Sequence, residues 1–365
     1  MARSGAIYGS TNTFKTTACG HFARWIAATT GKSTLLFSSD GGGWDPVQEE
    51  VDAGMILPYH CDANEIPLPI VRKVSQGYWP ENPAEPDITK LNFRRVNWDK
   101  VGGIAVEGLT SLGTMLMRHC ADKNLKTGEE GASKFQQRIL VEGEVISETF
   151  TQSSRGHYGF VQNQLYSLVT NFQSLPVSYV LFTAHEKKYA EDGELQCGIS
   201  VPGKAITPLV PTWVGDCIHA QDFKVVEKVR VPDPAKPGET REEEILGVAC
   251  RYYFVKHIDP ATGAIFEAKP RVTHSKALEL RKVFPGGFFV PTPEHGFDEY
   301  LRAVDKLAQD AAQADALRDW RRKADEKLGR VARVAAAQAP VPGPITPEKI
   351  MAGDGKLPAG AISKQ

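Results

Sequence analysis

The chain has no run of about 18 apolar residues, so no segment is long enough to serve as a transmembrane helix. No apolar secretion segment follows Met1-Ala2-Arg3-Ser4-Gly5. Both lacks lead us to expect a cytoplasmic protein without membrane contact. Net charge is nearly absent too: 43 Lys and Arg stand against 44 Asp and Glu. That excludes a whole-surface electrostatic grip on nucleic acid and leaves only local basic patches for the task. There is no Cys-x-x-Cys pair. Cys19, Cys61, Cys120, Cys197, Cys217 and Cys250 are scattered, which predicts reduced, mostly buried thiols. His60-Cys61 and Cys217-Ile218-His219 find no partner at zinc-ligand spacing. What is present is 41% apolar residues in 365, enough for one large α/β domain with appendages, or for two modest domains.

The order of patterns is that of an α/β protein. Residues 5–8 form a short apolar run, 9–15 a loop, and 16–29 show helical spacing at Cys19, Phe22, Ala23, Ile26 and Ala27. A β-rich run over 33–39 ends at Asp40-Gly41-Gly42-Gly43. Strand, helix and strand in this order predict a parallel sheet with a right-handed crossover. Further strands are expected over 103–107 and 178–184, and helices over 47–56, 109–122 and 157–174. Residues 75–100, 123–155 and 186–211 read as loops. From 214 the style changes: 214–232, 245–257 and 263–274 read as strands joined by turns, an antiparallel extension of the sheet. Residues 294–338 carry apolar positions at helical spacing and predict one long helix or a helical pair. The tail from 339 holds proline and glycine and predicts disorder. The expected division is a core over 1–290, a helical arm over 291–338 and a tail over 339–365.

Gly9-Ser10-Thr11-Asn12-Thr13-Phe14-Lys15-Thr16 matches the phosphate-loop pattern G-x-x-x-x-G-K-[ST], except that Phe14 replaces the second glycine. Each part has a chemical task. The N–H groups of residues 9–17, through Thr17 in the first helical turn, can wrap phosphate oxygens at the positive end of the helix. Lys15 neutralises β- and γ-phosphate charge, and the Thr16 hydroxyl suits Mg²⁺. The Phe14 departure matters because that glycine often holds a backbone angle other residues dislike. The expected ligands are therefore ATP and Mg²⁺.

Two carboxylates suit the same site. Ile104-Ala105-Val106-Glu107 is an apolar strand ending in an acid, placed to hold the Mg²⁺ water shell, partly through a water. The plain alternative is an ordinary strand-end Glu. Asp40 ends the strand beside the loop and is the candidate that orients or deprotonates an attacking water; its plain alternative is an Asp-Gly turn.

Over roughly residues 3–290 these features resemble the RecA-like P-loop ATPases, most closely small phage-encoded members linked to single-strand annealing and recombination. Phe37-Ser38-Ser39-Asp40-Gly41-Gly42-Gly43-Trp44-Asp45-Pro46 looks like the family segment that carries its catalytic Glu and then Asp-Pro, although in register that Glu falls on Gly41. Val106-Glu107-Gly108-Leu109-Thr110-Ser111-Leu112 looks like its metal-site strand and the turn after it. The resemblance implies that Leu181-Phe182-Thr183-Ala184-His185 ends in a γ-phosphate sensor, with His185 where Gln is usual. It also implies that Lys269 and Arg271 reach the ATP site of a neighbouring subunit in a ring or filament. Single-stranded DNA would then lie along 123–157 and 186–205. Lys123, Lys126, Lys134, Arg138, Arg155, Lys187, Lys188 and Lys204 supply charge there, and Phe135, Tyr158 and Tyr189 supply stacking. Several Glu residues dilute that patch. A phage origin would place the protein in the host cytoplasm. Two rival readings share the loop: a small-molecule phosphotransferase, and a nucleotide-gated assembly protein with little turnover.

Overall fold

A computed structural model of the chain describes residues 2–310 apart from 40–44, 62–67, 84, 86–89, 123–132, 142–143, 153–154, 192, 204–205, 233–239, 261, 271 and 273. Its centre is six parallel strands. In chain order these are β1 (Arg3–Gly9), β2 (Ser33–Ser38), β3 (Ile56–His60), β6 (Val101–Glu107), β9 (Tyr179–Glu191) and β11 (Asp216–Pro232). Two short strands, β4 (Tyr78–Pro80) and β5 (Phe93–Arg95), and a hairpin, β7 (Ser133–Val141) with β8 (Glu144–Gln152), are separate two-stranded pairs. Across the sheet the parallel strands run β3, β2, β6, β9, β1, β11. The edge beyond β11 is antiparallel, through β12 (Thr240–Tyr253) and β15 (Phe288–Phe289). The expected mostly parallel sheet with an antiparallel extension is therefore the architecture found.

Helices cover both faces because the parallel strands alternate two apolar sets. Ala6, Tyr8, Leu35, Phe37, Val180 and Phe182 pack on one side with α4 (Leu109–Asp122) and α5 (Arg155–Gln173). Ile7, Leu36, Ala105, Tyr179 and Leu181 pack on the other with α1 (Lys15–Thr30). Three short helices fill the margins: α2 (Gln48–Asp52), α3 (Leu68–Ser75) and α6 (Val210–Trp213).

The sequence reading needs correction in four places. Within 123–155 the described residues are not a loop but mainly the β7–β8 hairpin, paired from Ser133↔Gln152 to Val141↔Glu144. Within 186–211, β9 continues past the parallel sheet to Glu191 and turns back as β10 (Glu194–Ile199). The strand expected over 263–274 is only β14 (Ile265–Phe266), beside β13 (His257–Ile258), and α7 (His274–Val283) begins at its end. Last, the compact body runs from Met1 to Leu307 rather than stopping at 290. Residues 297–310 are helical, and Phe297, Tyr300, Leu301 and Val304 are buried against the α1 face. Residues 311–338, where the long arm was expected to continue, lie outside the described residues.

Polar anchors secure that last segment. Asp216 is fully buried and accepts hydroxyl bonds from Tyr179 at 2.9 Å and Tyr300 at 3.0 Å. Arg3 pairs with Asp305. His21 of α1 bonds Pro293 and Phe297, and Arg24 donates to the carbonyls of Pro293 and Glu294 while pairing with Glu50 at 2.6 Å.

Candidate functional site

The carboxyl ends of parallel strands make a crevice where ligands commonly sit. Here β1 ends at Gly9, directly beside His185 of β9 and Ala220 of β11. Ser38 of β2 lies beside Glu107, the last residue of β6. Gly9 must be glycine on grounds of space, since a Cβ there would stand 2.1 Å from the Ala220 carbonyl oxygen and 2.9 Å from Thr13 Oγ1.

Residues 10–14 then turn the chain into α1. Asn12 and Phe14 both adopt positive φ, at 67° and 56°. Phe14 thus takes the left-handed angle that the usual glycine supplies, and the residue stays 46% exposed. Thr13 is buried, and its hydroxyl donates to the Ser10 carbonyl at 2.9 Å. Ser10 Oγ also donates to Asp222 at 3.3 Å. The loop is closed from within by Lys15, whose ammonium lies 2.5 Å from Ser10 O, 3.3 Å from Gly9 O and 3.2 Å from Thr13 Oγ1.

A cavity of about 530 Å³ opens over this loop, lined by residues 11–17 with Pro46, Glu107 and His185. The Thr16 hydroxyl donates to Glu107 Oε1. Glu107 is almost fully buried. The His185 backbone is fixed on both sides: its N–H donates to Thr110 Oγ1 at 2.9 Å, and its carbonyl accepts the Ser200 N–H at 2.7 Å. A second cavity of about 510 Å³ shares Phe14, Thr17 and Pro46 with the first, and is walled by Arg24, Gln48, Glu49 and Pro291–Pro293.

Four separated stretches of sequence, holding Lys15 with Thr16, Pro46, Glu107 and His185, thus meet at one cavity. A scan against protein-family models finds no match for this chain, and a search of curated proteins finds none. Asp40 and Arg271 lie outside the described residues, although Ser39, next to Asp40, is tied to the Glu107 and Gly108 carbonyls at 3.1 and 3.0 Å. Lys269 is not at the loop of its own chain. It bridges Cys217, level with Ala6 and about 10 Å down the strand from Gly9. There it lines a separate cavity with Tyr189, Lys256 and Glu267.

The donor set fits Mg²⁺. Among the described residues no group of three or more His, Cys, Asp or Glu side chains could cage a metal. Mg²⁺ does not need such a cage, because it keeps water and takes one or two protein oxygens beside substrate phosphates. A hydroxyl touching a buried carboxylate, as in Thr16 and Glu107, is an oxygen-only set of that kind.

Sequence reasoning missed Tyr252 and Cys250 of β12. The Tyr252 hydroxyl lies 2.7 Å from the Phe14 carbonyl and 3.2 Å from that of Thr13, and Cys250 Sγ lies 3.5 Å from Thr13 O. Burial holds the Tyr252 phenol well above its usual range and pushes the Cys250 thiol up to about 12, so both remain protonated donors. No spacing rule links residues 14 and 252; only the β11–β12 register brings them together.

Proposed function

We propose that this chain binds Mg·ATP at residues 9–17 and hydrolyses it on a RecA-like core. The observation that carries the reading is the meeting of Lys15, Thr16, Glu107 and His185 at one cavity on the carboxyl edge of the parallel sheet. Loop and helix amides with Lys15 would hold the β- and γ-phosphates. Thr16 and Glu107 would hold Mg²⁺, which supplies charge neutralisation on the phosphate oxygens. His185 would hydrogen-bond the γ-phosphate, since an imidazole can donate at one nitrogen and accept at the other. A water oxygen then bonds to the γ-phosphorus, the bridging P–O bond breaks, and ADP leaves with the electron pair. Asp40 is the assigned acceptor of the water proton. The second cavity, which shares Phe14, Thr17 and Pro46 with the first, supports room for the nucleoside.

We further propose that hydrolysis is coupled to single-stranded DNA and to assembly into a ring or filament. The distal half of β9 supports the first part: it carries Lys187, Lys188 and Tyr189 after His185 and Glu186 on one continuous strand. Lys269, away from its own loop, supports a role at a neighbour's site.

Calorimetry with Mg·ATP, and phosphate release with and without single-stranded DNA, test the proposal. Micromolar binding that disappears without Mg²⁺, and turnover raised by DNA, are expected. No binding of any nucleoside triphosphate would refute it. Binding without turnover would point instead to a nucleotide-gated assembly protein, and transfer of phosphate to a small acceptor to a phosphotransferase.

A further inference from the structure

Phe14 holds a conformation that its own chemistry resists. At φ 56° and ψ 26° it is in the left-handed region, where a Cβ crowds the neighbouring carbonyl. The residue is 46% exposed and its side chain makes no cap bond.

The restraint comes from 238 residues away. Tyr252 stands in register with Ala220, which stands in register with Gly9. Those two neighbours are small, so the phenol can extend along the sheet to the loop. Its ring is fully buried and meets Phe289 edge-on at 5.3 Å. A phenol has one proton to give, and the Phe14 carbonyl at 2.7 Å is the closer acceptor. The same carbonyl accepts the Ala18 N–H at 3.0 Å, the first turn of α1. A trans peptide is rigid, with C=O and N–H pointing opposite ways. Fixing the Phe14 carbonyl towards β12 therefore turns the Lys15 N–H the other way. The Cys250 thiol, 3.5 Å from the Thr13 carbonyl, does the same for the Phe14 N–H. Both residues line the loop cavity.

We infer that Tyr252 is a positioning residue for the phosphate loop: its hydroxyl holds the Phe14–Lys15 peptide in the anion-binding orientation that a glycine at 14 would take on its own. The ligand in this inference rests on the nucleotide reading above; the loop geometry does not.

The test is a double-mutant cycle over wild type, Tyr252→Phe, Phe14→Gly and the double variant. Two quantities are read: hydrogen exchange at the amides of residues 12–18 without ligand, and Mg·ATP affinity by calorimetry. Tyr252→Phe should speed loop exchange and weaken Mg·ATP binding, each by about tenfold, while the same substitution on Phe14→Gly should change both by less than about threefold. A merely structural tyrosine would act equally in the two backgrounds, and equal effects, or none, overturn the inference. If Tyr252→Phe does not fold, Phe14→Ala and Phe14→Gly are compared with Tyr252 intact. An enforced turn tolerates Ala, so loop exchange in the two should agree within about threefold; a gap above about tenfold overturns it. If wild type binds no Mg·ATP, the nucleotide reading fails, and the exchange cycle still decides the role of Tyr252.

Discussion

Replacing His21 by Ala measures how firmly the segment after residue 290 is tied to α1, the helix that starts at Lys15. His21 has no exposed surface. Its Nδ1 accepts the Phe297 N–H at 3.3 Å, so the single proton of the neutral ring sits on Nε2 and is donated to the Pro293 carbonyl at 3.2 Å. The substitution leaves a buried N–H and a carbonyl without this partner and opens a void. An unsatisfied buried group costs about 1–3 kcal/mol and the cavity adds to it, giving a loss of about 2–4 kcal/mol. Urea unfolding at pH 8 reads it, and a loss below about 0.5 kcal/mol would refute the tie. The pH dependence is a second check. Burial lowers the His21 pKa, Arg24 nearby lowers it further, and Asp298 works against them. The unfolded imidazole takes a proton below about pH 6.5, whereas the folded one resists it until lower pH. The unfolded state therefore binds more protons in that window, and stability falls as pH falls through it. The gap between wild type and His21→Ala should be full above about pH 6.5 and shrink below it.

Four further outcomes are expected. Lys15→Ala removes the ammonium that sits among Gly9 O, Ser10 O and Thr13 Oγ1; Mg·ATP affinity should fall by at least about 100-fold in calorimetry, with an unchanged far-ultraviolet circular dichroism spectrum. Glu107→Gln keeps a partner for the Thr16 hydroxyl but removes the charge, so the Mg²⁺ concentration needed for half-maximal ATP binding should rise. Gly9→Ala forces a Cβ to 2.1 Å from the Ala220 carbonyl oxygen, and should lower stability by about 1–3 kcal/mol in thermal unfolding. Lys269→Ala should leave ATP binding intact and slow turnover, and mixing it with Lys15→Ala protein should restore part of the activity; no rescue in confirmed co-assemblies would exclude a role at the neighbour's site.

The central strands and the loop were legible because their signals are local. The 33–39 run, the 109–122 helix and the 178–184 run are each apolar at one clear period, and the structure places elements at Ser33–Ser38, Leu109–Asp122 and Tyr179–Glu191. Lys15, Thr16 and Glu107 could be read as helix-start and strand-end residues, and such positions converge wherever parallel strands do; His185 was named through the family resemblance and lies within β9, which runs on to Glu191. The β9–β10 hairpin was missed because its turn end, from Lys187 to Gln196, is mostly polar and holds no buried position among the described residues, although Asp192-Gly193 is a hairpin signal, with Gly193 at φ 82°. The boundary near 290 failed because the pattern at Phe297, Leu301 and Val304 looks the same whether a helix packs on its own sheet or on another molecule. Tyr252 was beyond reach for a different reason: its task depends on β-register across β1, β11 and β12, which composition does not encode.

The placement of β1 has a consequence for synthesis. This strand is bonded on both sides, but its partners are Tyr179–His185 and Asp216–Ala220. At roughly 5–20 residues per second, a ribosome needs on the order of 10–40 s after making β1 to deliver the second partner. Through that interval Gly5-Ala6-Ile7-Tyr8 waits as a strand with open edges, the kind of surface that chaperones cover and other chains can pair with. The central sheet can close around β1 only after β11 has left the exit tunnel, and a nascent chain stopped before residue 216 would hold the loop of residues 10–14 on a strand with one flank bare.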